Sequence, residues 1–336
     1  MKLFLWFGGY GFGKFLVGTA KMEKVSIIII SYNVRSYLAH AIDAIIKSEY
    51  KELEIIVVDN NSYDGTCEYL KEHYDNVSSI NIISNKENIG FGKAVNQAAK
   101  IATGKYFLIL NPDTIIEEET ISELVDYLYN NKNVGMVGPK ILNSDGTLQL
   151  ACKRSFPTIK VALPKILGLD RIFPNSKWAG KYNLTYLDPE EIHAVDAISG
   201  SCMLIREETF KKLNGFDEQF FMFGEDLDLC TRIWENGLEV HYVPKTKIIH
   251  YKGQSVKAAP YDSREAFYDS MNLYVNKHYS STIGLLTRLF IVTGISMKKL
   301  ISAVYEKRSL FVSMLLDILV IIFAFIIAIN FRFSNL

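Results

Sequence analysis

Residues 25–33 read VSIIIISYN, and this stretch decides the fold. Val25 and the four isoleucines from Ile27 to Ile30 form an almost unbroken β-branched run. Such a run suits a strand buried on both faces rather than one with a wet side. Working outward, apolar spacing at Tyr37, Leu38, Ala41, Ile42, Ala44, Ile45 and Ile46 predicts a helix over 37–48. Buried strands are then predicted at 54–58 and 106–110, a further strand at 80–84, and helices at 67–74, 92–102 and 117–131. Strands alternating with helices at this spacing predict an α/β fold: a mostly parallel, Rossmann-like sheet with helices on both faces. Ligands of such sheets sit beyond the carboxyl ends of the strands.

Those ends are polar. The first predicted strand runs into Ser31-Tyr32-Asn33, the second into Asp59-Asn60-Asn61-Ser62, and the fourth into Asn111-Pro112-Asp113. Turn chemistry accounts for Asn, Asp and Ser at any one such position. Three clusters on one rim, two of them with an Asp directly after an apolar strand, point to a binding site. His250 follows Ile248 and Ile249, where another strand would end. Farther along, residues 221–230, FMFGEDLDLC, lead aromatic residues and a glycine into acids at a predicted helix start. Acids there complement the helix dipole; the aromatic flank also suits a sugar platform. Asp228 and Arg232, four apart, read as a structural pair. Ser199-Gly200-Ser201, ahead of the strand-like 202–205, suits a tight turn or room beside a ligand equally well.

Bulk composition removes several function classes. With 336 residues, 49% hydrophobic and 22% charged, the chain supports a sizeable core. Lys+Arg equals Asp+Glu at 37 each, which argues against nucleic acid as a partner, since phosphate-backbone binding needs a basic surplus. The four cysteines are scattered without metal-ligand spacing and read as free thiols. Glycines at 8–13 precede the first good strand instead of following it, so a dinucleotide fingerprint, and with it a nicotinamide dehydrogenase, is excluded. A nucleotidyltransferase would need a glycine-rich phosphate loop after the first strand, and residues 31–37 contain no glycine.

Seven segments in order carry a family resemblance: residues 25–33, 57–66 (VVDNNSYDGT), 85–96, 110–114 (LNPDT), 195–206 (VDAISGSCMLIR), 215–232 and 250–255 (HYKGQS). Together they resemble the GT-A-fold family 2 glycosyltransferases, and most of all the rhamnosyltransferase-type members that build bacterial surface polysaccharides. The resemblance implies an inverting transferase that takes its sugar from a nucleotide diphosphate, with dTDP-rhamnose as the leading donor and a UDP-hexose as the alternative. It implies a saccharide or lipid-linked saccharide acceptor and a Mg²⁺ or Mn²⁺ cofactor. Asp113 resembles the last residue of the family's D-x-D motif, whose first acid is here Asn111. His250 would join Asp113 at the metal. Asp59 would bond the uracil or thymine ring, with Ser31, Asn33, Asn88 and Gly90 around the nucleoside. Ser199 and Gly200 would lie beside the donor sugar. Asp226 would be the general base that removes the acceptor proton, with Glu225 orienting it. A non-catalytic sugar-binding scaffold would be marked by loss of Asp113 and Asp226; both are present.

The ends of the chain read separately. Residues 1–21 are expected to be an extension ahead of a catalytic domain over 22–280. Residues 310–331 are nearly continuously apolar, broken by Asp317 and Asn330, and long enough to span a bilayer. A carboxylate within a span costs about 2.5–3.5 kcal/mol, which the Leu, Ile, Phe and Val around it offset. Lys298, Lys299, Lys307 and Arg308 just upstream put the main domain on the cytoplasmic side of the cell membrane by the positive-inside rule. Residues 281–336 are therefore expected to form membrane-associated helices; the other reading is a buried or dimerising helix. Residues 154–190 show little periodicity and suit either an acceptor-side loop or a connection.

Overall fold

The computed structural model describes residues 23–74, 77–254 and 263–279, with isolated positions farther on. The elements run β1 (Val25–Ser31), α1 (Arg35–Ile46), β2 (Leu53–Asp59), α2 (Thr66–Tyr74), β3 (Ile80–Ser84), α3 (Phe91–Ala99), β4 (Tyr106–Leu110), β5 (Thr114–Ile116), α4 (Thr120–Asn130) and β6 (Val134–Leu142). They continue with β7 (Lys153–Arg154), α5 (Ile159–Ile166), α6 (Leu169–Ile172), β8 (His193–Ala194), β9 (Ala197–Ile198), β10 (Cys202–Arg206), α7 (Glu207–Lys212), α8 (Glu225–Glu235), β11 (Glu239–His250) and α9 (Ser263–His278). These residues fall into two compact units. One takes 23–153, 189–221 and 225–254; the other takes 154–188, 222–224 and the described residues from 263 onward. Within the second, Ser270 Oγ donates to the Met222 carbonyl at 2.7 Å and the Phe223 ring meets Phe267 edge-on, so α9 anchors the short 222–224 segment.

The first unit is organised by a sheet in the order β3-β2-β1-β4-β10-β6-β11-β5, with β8 added to β11. From β3 to β4 it is parallel, as predicted. Every residue of β1 is buried, which is why the sequence shows no alternation there. Beyond β4, β10 enters antiparallel to both β4 and β6, while β6 and β11 pair in parallel. The chain reaches β10 through a turn at the rim where β4 ends, so β10 has to run away from that rim. A second difference lies at 114–116. Just ahead of the helix predicted over 117–131, Thr114–Ile116 pairs antiparallel with Ile248–His250, and the helix starts only at Thr120. All three residues are β-branched, which favours extended backbone there.

At the amino-terminal edge of β1 and β2 the sheet is closed by a polar staple. Glu54 is buried and accepts from Ser26 Oγ (2.6 Å), the Thr103 N–H (2.7 Å), the Thr103 hydroxyl (3.0 Å) and Lys24 Nζ (2.9 Å). Gly104 donates its N–H to Ser26 Oγ at 2.8 Å, and any Cβ at Gly104 would fall 2.5 Å from the Ser26 nitrogen. No helix among the described residues is long and apolar enough to cross a membrane. The apolar run 310–331, apart from isolated positions, and the extension 1–21 lie outside the described residues.

Burial alone would raise the Glu54 carboxyl, but the bonds from Ser26, Thr103 and Lys24 outweigh it and hold its pKa below the usual range. A carboxyl with a depressed folded pKa contributes stability that is complete above its unfolded pKa and is lost as the pH falls through the folded one. Glu54→Gln is therefore expected to cost about 1–3 kcal/mol in urea unfolding at neutral pH. The gap from wild type should narrow as the pH drops below about 4. A gap that stays constant with pH would contradict this.

Candidate active site

The parallel register of β1 and β2 sets Ser31 directly beside Asp59, both buried. Beyond them the chain bends sharply. Asn33 sits at φ 54°, a left-handed conformation that Asn tolerates better than most residues. In that pose its N–H donates to Ser62 Oγ at 2.9 Å and its Oδ1 accepts from the Tyr63 N–H at 2.8 Å. Asp59 Oδ2 accepts from the Ser62 N–H at 3.2 Å. Three buried atoms at this corner have no protein partner: Ser31 Oγ, Asn33 Nδ2 and Asp59 Oδ1. Leaving such a group unsatisfied costs about 1–3 kcal/mol. Three of them at one corner leave two acceptors and an amide donor open to a bound ligand or to water. Burial raises the Asp59 pKa against the lowering effect of Ser62, and the nearby charges of Asp64 and Glu68 add to the rise.

Asn88 and Gly90, predicted to line the same pocket, use these groups to shape the loop. Asn88 Oδ1 accepts from the Gly90 N–H at 3.0 Å and from Asn60 Nδ2 at 3.2 Å, and Asn60 in turn bonds Asn85 at 2.9 Å. Gly90, at φ +88°, allows α3 to begin hard against Phe221: the Phe91 N–H donates to the Phe221 carbonyl at 2.9 Å, and a Cβ on Gly90 would lie 2.7 Å from that oxygen. The close approach that calls for a glycine is thus to protein backbone.

Two strand spacings from Asp59, about 10 Å by ordinary sheet geometry, β4 ends in Asn111-Pro112-Asp113. Pairing of Thr114 with His250 brings the Asp113 carboxylate to the imidazole, Oδ1 to Nε2 at 3.2 Å. Both side chains are buried. The Asp113 carbonyl accepts from the Tyr251 N–H at 2.9 Å and Oδ2 from the Gln254 N–H at 3.3 Å, which ties the turn to the segment after β11. The Asn111 amide nitrogen lies 3.5 Å from His250 Nε2, so the residue at the first acidic position of the motif faces the imidazole. Ser255, the last residue of the HYKGQS segment, lies outside the described residues. Among the described residues no three His, Cys, Asp or Glu converge as a closed cage. One carboxylate with one imidazole fits a Mg²⁺ or Mn²⁺ ion that keeps its other positions for water and phosphate oxygens.

The turn before β10 connects this cluster to the acids of α8. The antiparallel register puts Cys202 opposite Leu110, and one step farther the Asn111 N–H donates to the Ser201 carbonyl at 2.9 Å. Ser199 Oγ and Ser201 Oγ bond at 3.0 Å, and the Gly200 N–H donates to Asp226 Oδ2 at 3.0 Å. A Cβ on Gly200 would lie 3.2 Å from Asp226 Cβ, so the small residue permits the approach. In the first turn of α8 the three acids differ in setting. Asp228 is fully buried and bonds Arg232 at 2.7 Å, and Arg232 reaches the carbonyls of Leu213 and Gly215, the structural pair that the spacing predicted. Glu225 is also buried, whereas Asp226 is partly open to solvent. Its carboxylate alone among the three combines access with an anchoring donor on the rim.

The structure brings Ser31 and Asn33 to the Asp59 corner, sets Asn111 and Asp113 beside His250, and joins Gly200, predicted to lie beside the donor sugar, to Asp226. Two features had no place among the predicted candidates: the role of Asn60 in organising the 85–90 loop, and Gln149, whose Oε1 lies 2.9 Å from His250 Nδ1. A buried glutamine just past the turn residues Asn143–Thr147 had one available signal: a polar residue between Leu148 and Leu150.

The family model for glycosyl transferase family 2 matches residues 26–213, more than half of the 336. A model described as the N-terminal domain of galactosyltransferase matches residues 189–254, the part that carries Gly200, Asp226 and His250. Over 269 residues the chain is 26% identical to the N-acetylglucosaminyl-diphospho-decaprenol L-rhamnosyltransferase of Mycobacterium tuberculosis, covering 77% of this chain and 86% of that one. It is 27% identical over 293 residues to the rhamnosyltransferase WbbL of Escherichia coli, covering 84% and 99%. Among solved structures, a mannosyltransferase from Pyrobaculum calidifontis in complex with GDP-Man and Mn²⁺ superposes with a TM-score of 0.55 at 17% identity, over 85% of this chain and 75% of that one. The chain belongs to glycosyl transferase family 2 and has the GT-A fold.

Proposed function

We propose that this glycosyltransferase moves L-rhamnose from dTDP-rhamnose, with inversion, onto a lipid-linked saccharide during synthesis of a bacterial surface polysaccharide. The observation that carries the reading is the buried Asp113–His250 pair on the same rim as the three unpartnered polar atoms of Ser31, Asn33 and Asp59. The rhamnose donor and the lipid-linked acceptor are supported by the names of the mycobacterial and E. coli relatives. A cytoplasmic face of the membrane is where such an acceptor and a nucleotide sugar would meet.

In this reading Asp59 Oδ1 accepts the imide N–H of thymine or uracil, the one donor on that ring edge, and Asn33 Nδ2 donates to a ring carbonyl. Ser31 Oγ completes the corner. Asp113 and His250 would hold the divalent cation, which when bound offsets the charge that gathers on the departing diphosphate. Asn111 adds no charge there, so the protein itself contributes a single negative ligand. Gly200 and Ser199 keep the space beside the sugar free of bulky side chains. Asp226 takes the proton from the attacking acceptor hydroxyl, which is a poor nucleophile while neutral. The Gly200 N–H holds Asp226 Oδ2 in place and leaves the carboxylate to act at a fixed position. One displacement without a covalent sugar–enzyme intermediate gives inversion.

Two measurements test this. In a nucleotide-release assay over a panel of donors with and without Mn²⁺ or Mg²⁺, and with membrane lipid acceptors present, metal-dependent turnover of dTDP-rhamnose is expected. Asp226→Asn should lower kcat by about 10²–10⁴, the usual range for removing a general base. Turnover of a UDP-hexose instead would replace the donor, and no turnover of any donor would favour a sugar-binding scaffold. The second concerns Asp59. Its ionised form is the acceptor that the ring N–H requires and its pKa is raised. Nucleotide affinity measured by calorimetry should therefore weaken as the pH is taken from neutral towards about 5. Asp59→Asn should bind weakly throughout and lose that dependence; a wild-type affinity that is flat with pH would count against the assignment.

A further inference from the structure

We propose that Gln149 is a positioning residue that decides which nitrogen of His250 faces the cation site, and that Asn143 holds Gln149 in the required orientation. The inference rests on the cation site proposed above. Its basis is a relay of hydrogen bonds whose direction is fixed from one end. The relay starts at Asp145 in the exposed turn after β6. Asp145 Oδ1, which can only accept, takes bonds from the Thr147 hydroxyl at 2.6 Å and the Thr147 N–H at 3.0 Å. The Thr147 hydroxyl has thereby used its hydrogen, so Asn143 must turn its NH₂ toward it, at 3.0 Å. Asn143 then presents Oδ1 inward, and Gln149 Nε2 donates to it at 3.1 Å. That leaves Gln149 Oε1 facing His250 Nδ1 at 2.9 Å. The imidazole must carry a hydrogen on Nδ1, so in the neutral ring Nε2 is left with a lone pair.

The lone pair points at a second acceptor. His250 Nε2 lies 3.2 Å from Asp113 Oδ1, and the neighbouring Asn111 Nδ2, at 3.5 Å, is too distant to satisfy it well. Two buried acceptors facing each other are unfavourable with nothing between them and suited to a shared cation. Without the relay, the other tautomer would be preferred: Nε2–H would donate to Asp113, and a single hydrogen bond would occupy both ligands at once. Gln149 therefore keeps both lone-pair atoms open to a cation. Gln149 is itself buried, at 4% exposure, so its bond to His250 lies away from the water that would otherwise serve either tautomer. An outer-shell partner that fixes a histidine tautomer typically changes metal affinity or activity 10–100-fold when removed.

The test reads the tautomer directly. In metal-free protein labelled with ¹⁵N-histidine, long-range ¹H–¹⁵N spectra at mildly alkaline pH should show His250 protonated on Nδ1 only, its signals assigned by their loss in His250→Ala. Gln149→Met should shift the ring toward the Nε2–H form and weaken Mn²⁺ binding, followed by electron paramagnetic resonance, by about 10–100-fold. Gln149→Glu keeps the acceptor and should retain the Nδ1–H tautomer and at least the wild-type Mn²⁺ affinity, whereas Asn143→Leu, which frees Gln149 to rotate, should behave like Gln149→Met. Wild-type His250 protonated on Nε2 would overturn the proposal. So would Gln149→Met with unchanged tautomer and Mn²⁺ affinity, or loss of both in Gln149→Glu with the fold intact by circular dichroism. Asp113→Asn separates the two levels. Unchanged Mn²⁺ affinity in that variant overturns the cation site itself, while weakened affinity there beside normal affinity in Gln149→Met overturns the role of Gln149 alone.

Discussion

The parallel pairing of β1 with β2 on one side and β4 on the other is the constraint on which the rest depends. Because β1 has no wet face, its residues leave the sheet all at once, and the parallel register brings the ends of β2 and β4 out at the same level. Ser31, Asp59 and Asn111 thus meet on one rim without any of them having to be placed by a flexible loop. The antiparallel entry of β10 follows from the same geometry. Its preceding turn has to reach the rim, and once there it hands an N–H to Asp226 and a carbonyl to Asn111.

The two ends of β2 treat a buried carboxylate in opposite ways. Glu54, at the amino-terminal end, is surrounded by four donors and its pKa is lowered. Asp59, at the carboxyl end of the same strand, keeps one oxygen without a partner and its pKa is raised. The first arrangement stabilises the fold. The second costs stability, about 1–3 kcal/mol for an unsatisfied group, unless water or a ligand completes it. The opposite pKa shifts at the two ends of one strand follow from this difference in hydrogen bonding.

Much of this was legible in the sequence, and the reasons are physical. β1 to β4 could be read because strands buried on both faces leave continuous β-branched runs, and the helices between them keep a 3.6-residue period. The clusters at 31–33, 59–62 and 111–113 were visible because a polar residue directly after such a run stands where a buried strand meets the rim of the sheet. Thr114–Ile116 was not legible as a strand because three residues hold too little pattern beside the helix that follows, and its partner strand lies more than a hundred residues away. Gln149 and Asn60 escaped for a related reason. Their roles depend on which way an amide points, which is settled by neighbours that no local pattern reveals.

The central claim is that Asp113 and His250 bind the cation beside a nucleotide seated on Ser31 and Asp59. The most direct measurement is a crystal structure of the protein soaked with dTDP and Mn²⁺, with data collected at the manganese absorption edge. An anomalous peak within coordination distance of both Asp113 and His250, with the thymine ring against Asp59, is the expected result. A peak at the acids of α8, or a base seated away from Asp59, would contradict it.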